Sequence, residues 1–412
     1  MLNLEELIKE YNKYQDMHLS IDLSRGKPCK EQLDLSNGMM DVLNSSSDFC
    51  SLDGVDVRNY GVLGGIKECK ELVSSIIDVP EDNIIIYGNS SLYVMFEQIS
   101  RSMTHGVMGY TPWCKLDKIK WLCPVPGYDR HFSITEYFGI EMINIPMNND
   151  GPDMDLIEEL VKDPCVKGIW CVPKYSNPTG ITYSDSVVSR FARLKPASPD
   201  FRIYWDDAYS CHHLYPDKMD HLLDIFSECE KAGNPDLVYI FLSTSKITFP
   251  GSGISAIASS KNNLTDIMKY MQINTIGYDK VNELRHVRFF KDINGIKDIM
   301  DKHANIIRPK FELVLKILDE ELKDFKDIYW SHPHGGYFIS LEVNGIAKEV
   351  EARCKECGVK LTPYGSSFPY HIDKNNSNIR IAPTCLSLDD LSLAMKILCL
   401  SIKIESIIND KK

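Results

Sequence analysis

The sequence predicts an α/β protein, with a mostly parallel seven-stranded sheet, helices on both of its faces, and a smaller α+β unit. Three observations lead there. Between residues 84 and 260, short apolar runs rich in β-formers alternate with amphipathic helical stretches, the pattern of repeated β–α units. Polar residues stand just after the strand candidates, at the carboxyl edge where a doubly wound sheet binds ligands. Past residue 263 the pattern changes to long helices followed by short strands. A chain of 412 residues also exceeds what one simple core usually holds, so two units are expected.

In chain order, Leu2, Leu4, Leu7, Ile8 and Tyr11 give the first segment one apolar helical face. It has no basic start and no continuous apolar run, so it does not read as a signal peptide. The strand candidates are 84–87, 121–125, 141–145, 167–172, 202–206, 237–242 and 253–258, with helical stretches at 91–103, 153–163 and 184–194. Residues 263–325 read as largely helical, with a long periodic run from about 298. Short strands at 337–342, 359–361 and 378–382 and helices at 345–357 and 387–405 complete the chain. The expected division is 1–48 as an arm contributing to the small domain, 49–295 as the large domain, and 296–412 as the small domain.

Composition narrows the function. A net charge of −12 disfavours nucleic acid and anionic membrane as partners, since both reward a basic face. Nothing approaches 18 consecutive apolar residues, so no membrane span is expected. The thirteen cysteines form no repeating frame, and without an export signal they read as reduced thiols of a cytoplasmic protein. Cys354 and Cys357 form a lone CxxC with no second ligand pair at zinc spacing, so no metal site is expected.

Four segments carry chemistry. Gly88-Asn89-Ser90-Ser91 opens a helix, and small residues there leave backbone N–H groups and a positive dipole end to cradle a phosphate. The same residues also serve as ordinary N-caps. Asn177-Pro178-Thr179-Gly180 follows the fourth strand candidate, where it is equally a turn. Asp206-Asp207-Ala208-Tyr209 ends the fifth and puts carboxylates at the edge of an apolar sheet, so a cationic partner is expected. Ser243-Thr244-Ser245-Lys246 ends the sixth with a lysine that is either a surface residue or a desolvated nucleophile.

In this order the four resemble the fold type I pyridoxal-phosphate enzymes, specifically the class I aminotransferases. Leu-Ser-Arg-Gly-Lys-Pro at 23–28, Ser-Thr-Ser-Lys without the usual following arginine, and Asp279-Lys280-Val281-Asn282 with Leu284-Arg285-His286 resemble a less common aspartate aminotransferase subgroup. The same fold forms the effector domain of MocR-type regulators.

The resemblance implies that Lys246 carries pyridoxal 5′-phosphate, Asp206 pairs with the ring nitrogen, and Tyr209 and Asn177 bond the ring oxygen. It implies that Asn89, Ser90, Ser91 and Ser243 hold the phosphate, that Tyr128 stacks on the ring, and that His131 lies behind Asp206. Tyr60 would reach the cofactor of the neighbouring subunit in a homodimer. Arg380 would bind the substrate α-carboxylate, Gly26 would lie over the substrate, and Arg25 would receive a side-chain carboxylate. The family's phosphate arginine is replaced by Ile254, and Arg285 is the candidate replacement. The implied activity is transamination of L-aspartate, or another dicarboxylic amino acid, with 2-oxoglutarate, ping-pong through pyridoxamine phosphate. A β-lyase or decarboxylase on the same fold, or a non-catalytic regulatory protein, are the alternatives.

Overall fold

The structure, a computed structural model, describes residues 3–409. Leu2, part of the first helical face, lies outside the described residues; that helix spans Leu4–Gln15, capped by the Asn3 side chain on Glu5 N. The large sheet contains β1 (Ile84–Tyr87), β2 (Lys120–Val125), β3 (Glu141–Asn148), β4 (Gly151–Pro152), β5 (Val166–Cys171), β6 (Arg202–Asp206), β7 (Val238–Ser243) and β8 (Ser255–Ala258). The order across it is β1-β8-β7-β6-β5-β2-β3-β4. All neighbours are parallel except those of β8 and of the edge pair β3–β4. The sheet thus has one strand more than the expected seven; β4 is two residues long, too short to carry an alternation pattern.

Strand residues divide by parity between two cores, as the period of two requires. Ile84, Ile86, Ile203, Trp205, Ile240 and Leu242 enter one cluster with helices Lys67–Ile77, Met154–Leu160 and Asp185–Ala192. Ile85, Tyr87, Tyr204, Tyr239 and Phe241 enter the other with helices Ser91–His105 and Lys261–Asn274. Burying each such aliphatic or phenyl side chain stabilises the fold by about 1.5–3 kcal/mol.

The helical region expected over 263–325 divides into Lys261–Asn274, Lys280–Phe290 and Ile293–Leu322. Side-chain caps from Ser260, Asp279 and Asp292 start each one. A third core unites Ile307–Leu322, the antiparallel strands Ile328–Trp330, Ile339–Val343 and Asn378–Ile381, and helix Leu388–Asn409. It also takes in the N-terminal segment, where Ile21–Asp22 pairs in parallel with Val359–Lys360. In the large sheet the chain reverses direction between β2 and β5, since β3 lies outside one and β6 and β7 outside the other. The loops leaving the carboxyl ends of those strands, together with 23–28, 360–366 and Arg380, close one cleft.

Candidate active site

The cleft has a volume of about 550 Å3. Of the residues expected to act together, it brings Ser90, Ser91, Tyr128, Asn177, Asp206, Tyr209, Ser243, Lys246, Arg380, Arg25 and Gly26 onto its walls.

Lys246 sits on a turn that Thr244 holds shut. The Thr244 carbonyl accepts from Ile247 N and Thr248 N, both at 2.9 Å, and its hydroxyl accepts from Ile254 N at 3.0 Å. The Thr244 and Thr248 hydroxyls lie 3.3 and 3.1 Å from Nε2 of buried His286, whose Nδ1 donates to the Asn282 carbonyl at 2.8 Å. Burial lowers that imidazole to about 4, so it stays neutral and leaves Nε2 as an acceptor facing the two hydroxyls. Below the turn, His212 Nε2 donates to the Lys246 carbonyl at 3.3 Å. The Lys246 amine lies 4.9 Å from the Tyr209 ring centroid. Desolvation pushes it below the usual lysine range, and the nearby Asp206 opposes that shift.

Asp206 ends β6 and is buried. His131 Nε2 donates to its Oδ2 at 3.0 Å, and the imidazole stacks on Trp170 at 4.5 Å, which fixes its plane. Among the described residues, Asp206 Oδ1 is buried without a partner. An unshared carboxylate oxygen in an apolar wall is costly unless something donates to it. Burial also raises the Tyr128 phenol to about 12 and the Tyr209 phenol well above its ordinary value, so both keep their protons. Across the cleft, Arg380 donates to Asn177 Oδ1 at 3.3 Å, to Asp129 Oδ1 at 3.0 Å and to Thr362 Oγ1 at 3.3 Å, with its plane over Phe338 at 4.9 Å.

Ser90 caps the fifteen-residue helix Ser91–His105, and Ser243 and Ser245 share a 2.8 Å hydrogen bond nearby on the wall. Gly26 is needed for close approach: a Cβ there would stand 2.2 Å from the Phe338 ring.

Three expected residues stand apart. Arg285 does not line the cleft; it donates to Ser252 Oγ at 2.6 Å and to Asn282 Oδ1. Asn282 lies one turn back on the same helix, and that i, i+3 contact aims the guanidinium at residue 252. Asn89 is exposed and donates to the Pro250 carbonyl at 3.2 Å. Tyr60 is 80% exposed. Ile254 is buried, so no cation occupies its position. The walls also carry Asp129, Arg130, Ser245, Phe338, Lys360 and Thr362, to which sequence reasoning gave no role. Asp129 and Arg130 stand between Tyr128 and His131 in the chain, and adjacency was their only signal.

The family model for aspartate amino-transferase matches residues 3–411. An aspartate aminotransferase of Corynebacterium glutamicum is 45% identical over 95% of this chain and 90% of its own length. The crystal structure of an aspartate transaminase from that organism superposes with a TM-score of 0.95 at 44% identity, covering 97% of this chain and 95% of that one. An α-aminoadipate aminotransferase structure from Thermus thermophilus shares the fold, with a TM-score of 0.76 at 18% identity over 97% of this chain and 95% of its own.

Proposed function

The chain belongs to the aspartate amino-transferase family; it is an aminotransferase, and from that premise we propose that it moves the amino group of L-aspartate, or a similar dicarboxylic amino acid, to 2-oxoglutarate with pyridoxal 5′-phosphate as cofactor. The observation that carries the reading is the pair formed by a desolvated Lys246 amine and the unshared, buried Asp206 Oδ1 in one cleft.

The residues present fit the cofactor. Asp206 Oδ1 would accept from a protonated ring nitrogen, while His131 holds the other oxygen in place. Asn177 has its amide oxygen engaged by Arg380, which leaves its NH2 to donate to a ring oxygen beside Tyr209. Tyr128 would cover the ring face. Ser90, Ser91, Ser243 and Ser245, with the helix N-terminus, would hold the phosphate without an arginine. When bound, the cofactor supplies the electron sink that stabilises negative charge at the substrate Cα.

The chain's own residues do the rest. Arg380 binds the substrate α-carboxylate and orients the Cα–H bond. Lys246 takes the Cα proton; its lowered pKa leaves more of the amine neutral near pH 7. Arg25 receives the side-chain carboxylate from the cleft mouth. The protein works as a homodimer, in which Tyr60, exposed with Leu52 on one short segment, reaches the partner's cofactor.

Incubating the enzyme with pyridoxal phosphate, L-aspartate and 2-oxoglutarate should yield oxaloacetate and glutamate in equal amounts. Fumarate and ammonia, or alanine and carbon dioxide, with no glutamate formed would contradict transamination and indicate a lyase or a decarboxylase.

A further inference from the structure

We propose that Asp129 is a built-in competitor of the substrate, an intramolecular carboxylate that shares Arg380 with the incoming α-carboxylate and so sets how tightly amino and oxo acids bind. The inference rests on Arg380 being the α-carboxylate receptor.

The Arg380 side chain is 9% exposed, and a buried guanidinium needs a counter-charge. Asp129 provides it at 3.0 Å through NH1. The remaining contacts, Asn177 Oδ1 on NH1 and Thr362 Oγ1 on Nε, are neutral, and NH2 has no partner among the described residues. A carboxylate docking end-on in a bidentate fork takes NH2 together with NH1, so it must take a donor that Asp129 and Asn177 already engage. Asp129 is the partner that can yield. It carries a like charge to the ligand, its side chain is 27% exposed, and it opens the helix Asp129–Tyr137, whose N-terminal dipole supports the carboxylate when it turns outward. Asn177, by contrast, is buried. Each bound substrate therefore replaces an internal ion pair rather than meeting a bare cation. Binding is weakened, and the guanidinium stays in register.

The test is Asp129→Asn and Asp129→Glu holoenzymes, measured by calorimetric titration with the unreactive dicarboxylate maleate and by steady-state kinetics. Asp129→Asn keeps the hydrogen-bonding shape and removes the charge. It should lower the maleate Kd and the KM for aspartate by about three- to tenfold, the scale of a partly exposed ion pair, with kcat changed far less. Asp129→Glu keeps the charge and should move both far less than Asp129→Asn does. A higher Kd and KM in Asp129→Asn would overturn the proposal, because it would mean that Asp129 only props Arg380. Unchanged values in both variants would overturn it as well. If wild-type enzyme formed no oxaloacetate from aspartate, the functional reading itself would fall and this proposal with it, an outcome distinct from the other two.

Discussion

Burial by itself depresses the Lys246 amine and Asp206 pulls the other way, and the net shift is downward. That Lys246, Asp206 and Asn177 come to one edge was legible in the sequence, because each ends or follows an apolar strand and parallel strands bring such ends together; their roles came from the resemblance. Side-chain direction was not legible at Arg285, where a neighbour one helical turn away decides it. Nor was the partner choice at Arg380, which depends on residue 129, far away in sequence. Among the described residues, three cations line the cleft besides Lys246 and Arg380, namely Arg25, Arg130 and Lys360. Arg25 has only a long, exposed contact with Asp22, at 3.8 Å, and is therefore available to a ligand. Arg25→Ala should lower kcat/KM for aspartate relative to alanine by about ten- to a hundredfold, the value of a charged hydrogen bond. An unchanged ratio would move the role to Arg130 or Lys360.

At the scale of elements, alternation made most of the sheet readable, because each strand divides its residues between two hydrophobic cores. Helix boundaries within 263–325 were hidden, since the apolar periodicity continues across the capping residues that end one helix and start the next. The helix Lys280–Phe290 also carries Glu283, whose Oε2 accepts from Ile66 N at 2.8 Å while Oε1 is buried without a partner among the described residues. Burial raises this carboxyl to about 7 from the ordinary 4.5. The folded state therefore holds the proton more tightly than the unfolded chain. The stability this confers is complete below pH 4.5 and is lost as pH rises through about 7. Glu283→Gln removes that loss and keeps an acceptor for Ile66 N. The variant's melting temperature, minus that of wild type, should increase by about 1–3 °C between pH 5 and pH 8. A difference independent of pH would show that Glu283 does not titrate in this range. His286, lowered to about 4, acts equally in both proteins and cancels.

For the whole molecule, the cleft exists because two cores meet along it. Val172, Tyr175 and Tyr209 leave the large sheet to pack with the C-terminal unit, and Arg25, Thr362 and Arg380 approach from that unit. The sequence revealed the two kinds of unit through their different periodicities. It did not reveal that the N-terminal segment pairs with residues 359–360, because a two-residue strand leaves no pattern. The assembly makes Lys246 special among lysines, and one other lysine offers a comparison. Lys174 is also lowered by burial, but it lies off the cleft with its amine on the Ser210 carbonyl at 3.2 Å. Borohydride reduction of the native protein with bound pyridoxal phosphate, followed by peptide mapping, separates the two. The account predicts one reduced cofactor per chain, on the peptide that contains Lys246, and none in Lys246→Ala. Label on Lys174, or no stable label on wild type, would contradict it.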